Sequence, residues 1–120
     1  MISPAARRAF AFDTLAIVLF VAIGRRSHDE QGNLLIGAAK VAAPFLLALV
    51  ISWIITRATT DPCSLRTGAL IWIPTVVIGL LLRKLIFDGG TATAFVIVTA
   101  VVLGIFLQGW RGIWRWRASR

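Results

Sequence analysis

The chain has 120 residues, of which 58% are hydrophobic and 15% charged, with a mean hydropathy of +0.86 and a net charge of +8. Soluble domains are about one quarter charged, and too few polar side chains are present here to cover an apolar core, so lipid is the expected solvent. The basic excess does not argue for nucleic acid, because most of it flanks apolar runs, where Arg acts as topology signal and headgroup anchor.

A helix needs about 20 apolar residues to cross a bilayer core, and four stretches are expected to do so. The first, over about 9–25, follows Arg7 and Arg8 and so has the outline of a secretory signal. Asp13 interrupts it and no small-x-small cleavage site precedes "RRSHDE", so an uncleaved helix is expected. The second runs over about 34–56 and contains Lys40 and Pro44. The third, over about 68–87, contains Pro74, Arg83 and Lys84, and the fourth, over about 91–110, is free of charge. Proline is tolerated in membrane helices where neighbouring groups satisfy the freed carbonyl, so Pro44 and Pro74 are expected as kinks facing protein.

The breaks "SHDEQGN", "TTDPCS" and "FDGGT" carry turn chemistry. In the second, Thr60 or Asp61 can cap a helix whose first turn holds Pro62. Breaks this short make neighbouring helices antiparallel. Cys63 is the single cysteine, which excludes an intramolecular disulfide and supplies no metal cluster.

The expected fold is therefore all-α, one transmembrane domain of four antiparallel helices, with both termini on one side. Placing the amino terminus inside puts Arg7, Arg8, Arg57, Arg66, Arg111, Arg115, Arg117 and Arg120 on the inner face, against Arg25, Arg26, Arg83 and Lys84 outside. That two-to-one excess favours cytoplasmic termini in the cytoplasmic membrane. The tail, 111–120, interleaves Trp110, Trp114 and Trp116 with Arg111, Arg115 and Arg117. At the end of a membrane helix this pattern suits an interfacial belt, with indoles at headgroup depth and guanidiniums on lipid phosphate, better than base stacking.

Ionisable residues inside apolar helices are costly and become the candidate site. Lys40 shares a helical face with Gly37, Ala43 and Pro44, and Arg83 with Thr75, Val76 and Gly79, so both are expected to point into the bundle. On the fourth helix Thr93, Ala100, Gly104 and Gln108 form a small and polar stripe. At a rise of about 1.5 Å per residue, Lys40 lies roughly 9 Å below the outer helix end, level with Arg83, and Asp13 about 6 Å from the inner end. An outer cluster of Arg25, His28, Lys40 and Arg83 results, with Asp29, Glu30 and Asp88 as counter-charges. Asp13 is either an interfacial cap or a proton-linked, gating residue. No Ser/His/Asp set, catalytic carboxylate pair or metal-ligand spacing is present, so neither an enzyme nor a cofactor is expected.

The segments "FDTLAIVLFVAIGRRSH", "AAPFLLALVISW", "LIWIPTVVIGLLLRKLIFDGG" and "TAFVIVTAVVLGIFLQGWR" resemble the small prokaryotic membrane family called domain of unknown function 3054. The residues that carry the resemblance are Asp13, Gly24, Arg25, His28, Pro44, Phe45, Arg83, Trp110 and Arg111. It implies a membrane protein of four helices and no particular activity.

Transport is the expected function, with an accessory role as the alternative. The first is a small transporter or channel-like protein, in which Arg25, His28, Lys40 and Arg83 attract an anionic or polar solute and Asp13 gates, with a homodimer interface supplying the pathway. The other is a non-catalytic accessory subunit whose charges pair among themselves or with a partner subunit. A hydrated pocket between Lys40, Arg83 and His28 points to the first, and a dry core with paired charges to the second.

Overall fold

A computed structural model describes residues 3–28, 34–86 and 93–119 of the chain. Four helices account for nearly all of them: α1 (Pro4–His28), α2 (Leu34–Thr56), α3 (Leu65–Leu85) and α4 (Thr93–Ala118). A 3₁₀ turn, Ala58–Thr60, lies between α2 and α3.

Local chemistry moves several boundaries from their expected places. α1 begins at Pro4 rather than near residue 9, because the Ser3 hydroxyl accepts the Ala6 amide at 3.1 Å and proline suits the first helical position. α3 is capped not by Thr60 or Asp61 but by Ser64, whose Oγ accepts the Thr67 amide at 3.0 Å, so Pro62 stays in the connection. Arg57 ends α2 in the left-handed region, at φ 54° and ψ 45°. The tail is not a separate segment, since α4 continues unbroken to Ala118. Both α2 and α3 run through their prolines, with Pro44 buried and Pro74 half-buried.

The helices pack in a ring, α1 against α2 and α4, and α3 against α2 and α4. Contacts fix the direction of each. Asp13 and Phe20 of α1 meet Trp53 and Phe45 of α2 in reversed order. Ser52 and Phe45 meet Thr75 and Gly79 of α3, and Leu65 and Trp72 meet Gln108 and Ala100 of α4. The bundle is therefore up-down-up-down, with the start of α1 beside the end of α4, where the Arg8 guanidinium lies 5.7 Å from the Trp114 ring.

One layer of the core centres on the fully buried Phe45, edge-on to Phe20 at 6.1 Å and 6.4 Å from Phe95. Gly79 makes room for it, since a Cβ there would collide with the Phe45 ring. Three residues of the stripe expected on α4 face α3, and Thr93 is exposed: Ala100 accepts the Trp72 indole N–H at 2.8 Å, the Gly104 backbone lies under the same indole, and Gln108 donates to Leu65 O at 2.8 Å. Each of these uses a small residue or a side-chain hydrogen bond to bring two membrane-type helices close.

The exterior is apolar on all four helices. Leu15, Val18, Leu19 and Ile23 on α1, Leu47, Ile54 and Ile55 on α2, Ile73 and Leu81 on α3, and Ile97, Val101 and Ile105 on α4 all stand exposed. Water would not tolerate a surface of this extent. Three helical segments, Ala39–Thr56, Leu65–Leu85 and Thr93–Ala118, are long and apolar enough to cross a membrane. α1 fails that criterion because its apolar run lies between Arg8 and Arg25 and contains Asp13.

Candidate functional site

The site forms at the end of the bundle that holds the α2–α3 connection. α1 places Asp13 on the same face as Ala9, Ala16 and Ile17, all buried, and the carboxylate itself is 0% exposed. Opposite stands Arg111 of α4, also 0% exposed. The two side chains meet fork to fork, with Arg111 Nη1 donating to Asp13 Oδ1 at 2.7 Å and Nη2 to Oδ2 at 2.8 Å. This two-point geometry is the strong form of a charge-assisted hydrogen bond.

Two indoles complete the carboxylate's surroundings. Trp53 of α2 donates to Oδ2 at 2.9 Å, and Trp110 of α4 to Oδ1 at 2.8 Å. Arg111 gives two of its three remaining donors to backbone, Nε to Pro62 O at 3.0 Å and Nη1 to Leu107 O at 2.9 Å. Phe10 packs edge-on to Trp53 at 5.2 Å, and Phe12 against Trp110 at 5.0 Å, which sets the indole orientations. Gly68 leaves the space that Arg111 fills: a Cβ there would lie 2.8 Å from Arg111 Cδ and collide with Gln108.

A carboxylate offers about four lone-pair sites, and Asp13 has four donors on them. No acceptor capacity is left for a solute. The Asp13 carboxylate joins α1 to α2 and α4, and Arg111 extends the group to the α2–α3 connection. Among the described residues no three His, Cys, Asp or Glu gather as a metal site would require.

The expected outer cluster fares differently. Lys40 is exposed rather than pointing into the bundle, because α2 turns Pro44 and Phe45 inward and leaves Lys40 and Ala39 on the outer surface. Arg83 is half-buried, with its guanidinium 4.4 Å from the Phe95 ring. The side chains of Arg25 and His28, and all of Asp29, Glu30 and Asp88, lie outside the described residues. Arg111 corrects the reading of the tail: it is buried in an ion pair rather than held at the interface, and Trp110 is half-buried on Asp13. Trp114, Arg115, Trp116 and Arg117 are exposed, as anchors would be. Trp53 and the Pro62 carbonyl were not singled out from the sequence at all. The usable signal was Asp13 itself, since an anion at that depth requires a donor set and the chain offers few intramembrane acids to compete for Arg111.

The fold and site define a helical bundle with an apolar exterior and a buried ion pair at one end, the architecture of a membrane protein. The chain belongs to the family described as "Protein of unknown function (DUF3054)", which matches residues 10–114. No curated protein and no solved structure matches it. Of the positions that carried the family resemblance, Asp13, Trp110 and Arg111 come together in one hydrogen-bonded group.

Proposed function

We propose that the chain is a non-catalytic accessory subunit of a membrane assembly, crossing the cytoplasmic membrane four times with both termini inside. The fourth crossing is supported by α1 itself, which packs along α2 and α4 and exposes Leu15, Val18, Leu19 and Ile23 as the other helices expose theirs. The observation that carries the functional reading is the saturation of the fully buried Asp13 carboxylate by Arg111, Trp53 and Trp110. The buried pair is spent on holding the bundle together, and Lys40 is turned outward at the edge of the apolar segment of α2, where an acidic group of a partner subunit can reach it.

A photo-crosslinking residue at position 40, compared with one at the lipid-facing Val101, tests this in native membranes. One adduct of a single defined mass at position 40, and lipid adducts alone at position 101, is the expected result. Lipid adducts alone at both positions, together with solute flux in proteoliposomes containing only this protein, would overturn it.

A transport reading draws support from one feature, the carboxylate of Asp13 buried where α1 meets α4. Loss of the Asp13 charge would leave Arg111 buried without its counter-ion and loosen that contact. Under this reading Asp13→Asn abolishes solute-driven proton uptake in proteoliposomes, while under the accessory reading the wild-type protein shows no such uptake.

A further inference from the structure

A groove of about 560 Å³ opens on the outside of the bundle where α1, α2 and the 3₁₀ turn meet. Ala6, Phe10, Val50, Trp53 and Ile54 form its apolar walls, and Arg7, Arg57 and the Thr59 and Thr60 side chains lie at its polar end. Its size falls within the roughly 300–1,000 Å³ of ligand pockets. Apolar walls with cations at one end match an acyl chain ending in an anionic headgroup.

We propose that this groove seats one anionic phospholipid, with an acyl chain along Phe10, Val50, Trp53 and Ile54 and the headgroup phosphate between Arg7 and Arg57. Three observations carry it. Both arginines are exposed, and among the described residues neither forms an ion pair, so their charge is available. Arg57 holds the left-handed conformation that terminates α2, a position where glycine is the unstrained choice. The strained backbone delivers a guanidinium to the groove's mouth, and such strain gathers where a side chain has work to do. The groove also lies at the bundle end where the tail exposes Arg115, Trp116 and Arg117, the level at which a bilayer presents its phosphates. Because Trp53 both lines the groove and donates to Asp13, a seated lipid would press on the indole that helps saturate the buried carboxylate.

Native mass spectrometry of the purified full chain, titrated with phosphatidylglycerol or phosphatidylcholine, tests the proposal. One phosphatidylglycerol per chain is expected, held about tenfold or more tightly than phosphatidylcholine. Arg7→Gln with Arg57→Gln should abolish that preference, and Ile54→Trp should displace the lipid by filling the groove. Arg115→Gln with Arg117→Gln, on the exposed tail, should leave it intact. Arg57→Gly, which relieves the backbone, should weaken lipid retention while the protein melts no lower than wild type. Equal loss from the tail pair would reduce the effect to diffuse attraction by surface charge and overturn the site. No preference in the wild type would do the same. A dimer that Ile54→Trp dissociates, with no lipid retained, would assign the groove to a second copy instead.

Discussion

Asp13 and Arg111 stand 98 residues apart in the chain, yet the pair is the most heavily bonded contact in the described molecule. Removing one partner leaves the other charge buried, which costs about 3–5 kcal/mol, whereas replacing both by apolar groups of similar volume is often neutral. Asp13→Leu alone and Arg111→Met alone should therefore lower the melting temperature in detergent sharply. The double variant should recover most of the loss, a coupling that thermal melts of all four proteins measure. Trp53→Phe, which withdraws one donor from a charged acceptor, should cost about 1–3 kcal/mol. Cys63 offers a second check at this scale. Burial raises its thiol above the ordinary value, with the positive charge of Arg111 the largest opposing influence. A raised value means less thiolate at any given pH, so maleimide labelling of the folded protein should rise with pH later than labelling of the protein unfolded in detergent.

At the scale of the element, glycine positions separate by what their missing side chains leave room for. Gly79 accommodates the Phe45 ring, and a Cβ there would come within 2.6 Å of Phe45 Cε1. Gly79→Ala should destabilise the α2–α3 contact by about 1–3 kcal/mol, the usual cost of overpacking. Gly109 and Gly112, on α4, would meet nothing within 4 Å. Alanine at either should stabilise by about 0.5–1 kcal/mol through helix propensity alone. Parallel melts of the three single variants decide between packing and propensity as the reason each glycine is tolerated. α4 also shows why the tail was misplaced from the sequence: the charge-free stretch ends before Arg111, but the helix does not, because Arg111 finds its carboxylate inside the bundle.

For the whole molecule, the number of crossings decides the sidedness of the ends. The start of α1 and the end of α4 lie together in the bundle. Four crossings put both on the side favoured by their arginines, whereas α1 lying outside the lipid would leave three crossings and opposite sides. Reporter fusions at the two ends, one active only inside and one only outside, should both read inside. Opposite readings would remove α1 from the membrane and with it the four-crossing topology.

Apolar runs and the breaks between them determined the helices, their number and their antiparallel order, since hydropathy and turn chemistry are local properties that each segment carries alone. The stripe of Ala100, Gly104 and Gln108 was legible for the same reason: it follows from helical spacing on one element. Which charges pair was decided only in three dimensions. Helical spacing placed Lys40 among small residues, which predicts an inward side chain, but α2 packs Phe45 against Gly79 and Phe20 and leaves Lys40 outside. Arg111 read as a headgroup anchor because its neighbours in sequence are anchors. Its partner sits on α1, brought to the same level by the up-down-up-down fold, and a buried anion attracts whichever donors the fold delivers to it.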